Sequence, residues 1–87
     1  MNAAHIDAYV TILQNPQEHG LPFLPVTDYF EPCEEGTSTH IVFEEFSKIY
    51  PRQVPKVIFY VIMNKHFSQH IDGENYTLRI KEEFKNQ

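Results

Sequence analysis

The chain has 87 residues, 41% of them hydrophobic and 14% aromatic, and its formal net charge is −5 at pH 7. This length suits a single domain spanning residues 1–87, and the apolar content is too high for a disordered chain. The longest unbroken apolar run, residues 57–63, is far shorter than the roughly 20 residues that a transmembrane helix needs. We therefore expect a compact domain that does not span a membrane.

Cys33 is the single cysteine, which excludes an internal disulfide. Small secreted domains usually depend on disulfides, so a reducing compartment is expected for this chain. Residues 1–5 have neither the basic nor the apolar region of a signal peptide. These features together predict a cytoplasmic location.

Charge is distributed unevenly along the chain. Residues 1–47 carry eight acids and no Lys or Arg, whereas residues 48–87 carry seven basic residues and four acids. Such asymmetry is typical of a protein with a charged partner. The alternative, which we favour, is that the two halves attract each other on folding, because charge balance bears on solubility and association more than on fold.

Apolar residues at helical spacing predict three helices. The first helix begins at the cap Asn2 and ends before Pro16, since the residue preceding a proline avoids the helical region. A second apolar stripe predicts a helix at about residues 38–50. A third helix, at about residues 55–68, contains the apolar run, for which a buried strand over residues 57–67 is the alternative. The stripe of the first helix consists of Ile6, Tyr9, Val10 and Leu13.

The connection between the first two helices, residues 16–36, contains four prolines and two glycines. Long regular elements are therefore not expected there. One short helical turn is predicted to begin at Thr27 and Asp28. Residues 33–36 have the most loop-like composition of the chain.

The C-terminal third predicts a β-hairpin. Asp72-Gly73 is a strong turn signal, and apolar and polar residues then alternate over residues 76–81 as in a half-buried strand. Residues 82–87 are polar apart from Phe84 and are expected to fray. The predicted fold class is α+β and mainly helical, with three helices plus a C-terminal β-hairpin, an order of elements similar to that of a winged helix.

Catalytic and metal-binding chemistry is weakly supported. Cys33 with His40 or His19 would resemble a nucleophile and its base, but the glutamates beside the cysteine disfavour a thiolate. His66 and His70 have the i, i+4 spacing that lets two imidazoles on a helix reach one metal, without recognisable further ligands. No glycine-rich phosphate loop is present. We therefore predict no enzymatic activity, no cofactor and no metal.

The class of function that is left is recognition of another molecule at the surface. We therefore predict a small non-enzymatic regulatory or adaptor protein that binds another macromolecule, in first place a protein. The aromatic, proline-rich residues 21–30 form one candidate surface for a partner, and the acidic first half forms another, for a basic partner; a homodimer is left open. The alternative is that these aromatics only cap the core. The candidate protein-interaction residues are Phe23, Tyr29, Phe30, Glu31, Glu34 and Glu35.

The alternative function is nucleic-acid binding by a winged-helix-like protein through a basic face of residues 48–81. The net charge, the acids Asp72 and Glu74 beside the hairpin turn, and the apolar third helix count against it. Cations gathered on one face would favour nucleic acid, whereas interleaved charges or an exposed apolar patch would favour a protein. The candidate nucleic-acid-binding residues are Arg52, Gln53, Lys56, Tyr60, Asn64, Lys65, Arg79 and Lys81.

Overall fold

The computed structural model describes residues 3–85, which form four helices and a three-stranded antiparallel sheet. The predicted α+β class is confirmed. Short 3₁₀ turns add to these elements, and the turn predicted at Thr27 and Asp28 is one of them. The helices are α1 (Ala3–Gln14), α2 (Thr39–Ile49), α3 (Lys56–His66) and α4 (Glu82–Lys85), and the strands are β1 (Phe30–Ser38), β2 (Ile71–Asp72) and β3 (Asn75–Ile80).

The first three helices match the prediction in position and order. α1 ends at Gln14, immediately before Asn15-Pro16, while its predicted cap Asn2 lies outside the described residues. The apolar run forms a helix and not a strand, and Pro55 stands directly before its first residue, where a proline favours the start of a helix. Within residues 3–85, none of the helices has the length and hydrophobicity that a bilayer-spanning segment requires.

β1 overturns the expectation that residues 16–36 lack long regular elements. The nine-residue strand pairs antiparallel with β3 and forms one edge of the sheet, in the order β1-β3-β2. Pro32 opposes Leu78 and Thr37 opposes Tyr76, so residues 33–36 bulge opposite a single β3 residue. The proline and the bulge are tolerated because an edge strand has ladder bonds on one side only.

The C-terminal end is also more ordered than predicted. β2 and β3 form the expected hairpin, and Gly73 in its turn has a φ of +62°. Beyond it, residues 82–85 do not fray but form α4. Phe84 is buried there and stacks on Tyr29 with 4.1 Å between ring centroids. The Lys81 backbone N–H, which donates to the Tyr29 carbonyl, fixes the start of this short helix.

The core lies between the helices and the inner face of β3, and aromatic side chains dominate it. Phe46 of α2 is fully buried at the centre of this cluster. Its ring centroid lies 4.7–5.7 Å from those of four other aromatic residues, namely Tyr29, Phe30, Tyr50 and Phe59. Edge-on and offset contacts of this kind add to the apolar area that each ring buries. The cluster therefore fixes α2, α3 and β1 relative to one another.

Candidate interaction surface

The outward face of α3 exposes apolar side chains. Val57 is 48% exposed, and Val61 and Tyr60 are half-buried. Residues four apart lie on the same side of a helix, so Val57 and Val61 are neighbours on this face. We refer to this face, with the cations that border it, as the α3 surface, which consists of Arg52, Lys56, Val57, Tyr60, Val61 and Lys65.

Three cations of the α3 surface have no carboxylate partner. Within residues 3–85, no carboxylate oxygen lies within 4.0 Å of the charged nitrogens of Arg52, Lys56 or Lys65. The Lys56 ammonium donates instead to His40 Nδ1 at 3.4 Å and lies 5.9 Å from the centroid of the Tyr60 ring. The Arg52 guanidinium lies 5.6 Å from the centroid of the Tyr9 ring. Their positive charge is therefore available to a partner.

Two grooves adjoin members of the α3 surface. One, of about 370 Å³, runs over the connection between α2 and α3 and is lined by Phe43, Ser47 and Tyr50 together with residues 51–54. The other, of about 250 Å³, separates α3 from the hairpin. Its lining residues are Thr39, Tyr60, Asn64, Ile71, Gly73, Glu74 and Tyr76. The first groove includes Arg52 and the second includes Tyr60, so each offers a concave surface for a partner's side chains next to a member of the α3 surface.

A buried tyrosine forms the floor of the groove beside the hairpin. The Tyr76 hydroxyl donates to Asn64 Oδ1 at 3.4 Å and so orients the amide of Asn64 on α3. Burial, with a smaller contribution from Tyr60, raises the pKa of Tyr76 to about 12. The phenol therefore remains a hydrogen-bond donor beyond pH 10, where an exposed tyrosine ionises.

A second buried tyrosine anchors the connection that precedes β1. The Tyr50 hydroxyl donates to the Leu24 carbonyl at 2.9 Å. Burial raises the pKa of Tyr50, the nearby Tyr29 adds to the rise, and the positive charge of Arg52 opposes it. This bond ties the proline-rich segment to the C-terminal end of α2, beside the first groove.

The aromatic residues predicted as a protein interface lie in the core instead. Tyr29 and Phe30 are only 7% and 4% exposed, so neither can anchor a partner. Phe23 is half-buried, and its ring packs edge-on against Tyr50 with 5.4 Å between centroids. The alternative interpretation, that these aromatics cap the core, is the one the structure supports.

The acids predicted for the same interface separate from those aromatics. Glu31 lies on the outer side of β1, where the Arg79 Nε–H donates to its Oε1 at 2.8 Å. Glu34 and Glu35 are exposed on the β1 bulge. Without exposed aromatics beside them, these acids form a charged surface that has no apolar centre.

The residues predicted for nucleic-acid binding divide between two places. Arg79 lies on the outer face of the sheet, engaged by Glu31, and Lys81 follows β3, so neither borders α3. Six others come together along α3 and its N-terminal approach, namely Arg52, Gln53, Lys56, Tyr60, Asn64 and Lys65. The cations of the second half are therefore divided between the α3 side and the sheet side of the molecule, and Arg79 on the sheet is paired with an acid.

Val57 and Val61 are the members of the α3 surface that sequence reasoning missed. They belong to an unbroken apolar run, which predicts a helix buried on most sides. The signal that marks their face is Asn64, because it stands at i+7 from Val57 and i+3 from Val61. A polar residue at that position shows that the face reaches solvent.

Cys33 and His40, the candidates for a nucleophile and its base, each contact a different group. Cys33 Sγ contacts the Glu35 carbonyl at 2.9 Å, whereas His40 Nε2 contacts Glu44 at 3.0 Å. α3 ends at His66, and His70 lies in the following 3₁₀ turn, so the two histidines do not share a helix. Across residues 3–85, no group of three or more His, Cys, Asp or Glu side chains is placed to hold a metal ion.

Comparison with known proteins finds no family model, no curated protein and no solved structure that matches the chain. The function is therefore argued from the α3 surface and the charges around it.

Proposed function

We propose that this chain is a small, non-enzymatic regulatory or adaptor protein that binds another protein through the α3 surface. The observation that carries the proposal is the exposure of Val57 beside Val61 on a helix whose opposite face is buried. Exposed apolar residues bordered by polar and charged ones are typical of protein interfaces. The cytoplasmic location and the absence of catalysis stay predictions.

The proposal places the interface away from the candidate surface that the sequence indicated. Tyr and Phe stabilise interfaces only when they reach the partner, and Tyr29 and Phe30 do not. The α3 surface instead combines an apolar centre, a half-buried tyrosine and two adjoining grooves. A rigid helix packed on the core also presents these groups at little entropic cost.

The test is affinity capture from the native host with a matched pair of variants. Val57 and Ile41 are exposed to nearly the same degree, 48% and 46%, but Ile41 lies on α2 outside the α3 surface. Val57→Asp should abolish capture of the partner, and Ile41→Asp should retain it, with both variants folded by circular dichroism. Nuclease treatment should leave the capture unchanged. Retention by Val57→Asp, or equal loss in both variants, would contradict the proposal.

Nucleic-acid binding is the second candidate, and one observation favours it. The order helix, strand, helix, helix, hairpin is similar to that of a winged helix, and the second helix of a helix-turn-helix enters the major groove. Arg52 and Lys56 would then contact phosphates or bases. Against it stand the net charge of −5 and the exposed Asp72 and Glu74 in and beside the hairpin turn.

A titration with labelled duplex and single-stranded DNA and RNA, at low and at physiological salt, tests this second candidate. Binding that falls steeply with salt and is lost in Arg52→Ala and Lys56→Ala would establish it. The protein-binding proposal predicts no complex in either buffer.

A further inference from the structure

We infer that the partner contacts the α3 surface through a segment that is acidic at both ends and apolar between them. This inference rests on the proposed function and specifies the chemistry of the partner. Its basis is charge complementarity: a chain of net charge −5 concentrates three unpaired cations around one exposed apolar stripe. Complementary potentials of this kind determine which partners associate and how quickly.

The spacing of the cations defines the length of the segment. Lys56 and Lys65 stand nine residues apart on α3, which corresponds to roughly 13–14 Å along the helix axis and to about half a turn around it, so they border opposite sides of the apolar stripe. Val57 and Val61 lie between them. A partner helix of about two and a half turns, or an extended stretch of about four residues, covers this distance. Its carboxylates would meet the two lysines, and its apolar side chains would meet the valines.

Acids on the neighbouring elements limit where such a segment can lie. On the α2 side, His40 lies between Lys56 and Glu44, with Nδ1 facing the lysine and Nε2 the carboxylate. On the hairpin side, Glu74 lines the groove that contains Asn64. An acidic segment is repelled from both sides and is therefore confined to α3, where it crosses the apolar stripe obliquely from Lys56 to Lys65.

A second copy of this chain does not fit the surface. Packing two α3 surfaces together would bring lysines of both copies into one interface without acids to neutralise them. The exposed Glu34 and Glu35 could reach the α3 surface of another copy only in a head-to-tail arrangement. Such contacts produce open chains unless the rotation closes a ring. The partner is therefore a different protein.

Photo-crosslinking in the native host tests the inference, with Val57→benzoylphenylalanine as the probe and mass spectrometry of the crosslinked peptide as the readout. We expect a peptide with an excess of Asp and Glu around apolar residues. The double variant Lys56→Glu with Lys65→Glu should reduce the yield of the crosslinked peptide at least tenfold. The matched control, Lys48→Glu with Lys85→Glu, lowers the net charge by the same four charges, from −5 to −9, and should change the yield less than twofold.

The outcomes separate the inference from the proposed function. A crosslinked protein segment that is neutral or basic, or an equal loss in the two charge-reversal variants, overturns the acidic partner and leaves protein binding in place. A crosslink to nucleic acid or to a second copy of this chain, or no crosslink by a folded variant, overturns both. Circular dichroism of each variant establishes that it is folded.

Discussion

Phe46→Ala tests the packing that fixes the position of α3. The side chain is fully buried, and four aromatic rings, including Phe59 of α3, surround it. Truncating a buried phenylalanine lowers the free energy of unfolding by about 3–5 kcal/mol. Because four ring contacts are lost at this site, we expect a value near the upper end of that range. A domain of 87 residues has a free energy of unfolding of about 4–13 kcal/mol. We therefore expect Phe46→Ala to remove a large part of the stability.

Phe43→Ala is the matched control on the same helix. Phe43 is half-buried and has aromatic neighbours in Phe59 at 5.1 Å and Tyr60 at 6.1 Å. Its partial burial predicts a loss of roughly 1–1.5 kcal/mol. Urea unfolding followed by far-UV circular dichroism measures both losses, provided that the slope is unchanged. A loss below about 2 kcal/mol for Phe46→Ala, or equal losses in the two variants, would refute the packing argument.

Three further variants test the hairpin, the sheet and the buried tyrosine. Gly73→Ala places a side chain at a φ of +62° and should lower the free energy of unfolding by about 1 kcal/mol in the same urea assay. An unchanged unfolding midpoint would contradict the turn geometry. Glu31→Gln breaks the exposed ion pair with Arg79 and should lower the free energy of unfolding by about 0.2–1 kcal/mol at low salt and by less at high salt. A loss that does not change with salt would argue against an ion pair. Burial raises the pKa of Tyr76 from 10.0 to about 12, so between these pH values the folded chain binds more protons than the unfolded chain. The stability that this difference contributes is complete below pH 10 and is lost as the pH rises through 12. Tyr76→Phe should therefore lose stability less steeply than the unmodified protein between pH 10 and 12 in thermal unfolding, and identical slopes would contradict this.

The elements that the sequence predicts well are those with strong local signals. Pro16 ends α1 and Pro55 starts α3, because proline restricts the backbone wherever it stands. Asp72-Gly73 specifies the hairpin turn in the same way. Such signals act within a few residues and need no knowledge of the rest of the fold.

β1 and α4 were mispredicted because distant residues hold them in place. β1 contains a proline, a glycine and three glutamates, none of which favours a strand locally. It becomes a strand through its pairing with β3, and several of its β3 partners lie more than forty residues later in the chain. α4 is likewise ordered by the stacking of Phe84 on Tyr29. Contacts of this separation cannot be read from local composition.

The α3 surface was only partly predictable. The polar stripe of Lys56, Tyr60 and Asn64 follows from helical spacing alone. Which of the many apolar residues of α3 reach solvent depends on the elements that pack against it. Ile58 turns into the core while Val57, one position earlier, does not. The difference is decided by tertiary packing.

Hydrogen–deuterium exchange of the protein with and without its captured partner tests most directly whether α3 is the binding surface. We expect the partner to slow exchange in residues 52–66 and to leave exchange in residues 30–38, which include the acidic β1 bulge, unchanged. Protection confined to residues 30–38, with α3 unaffected, would contradict it and return the interface to the acids of β1.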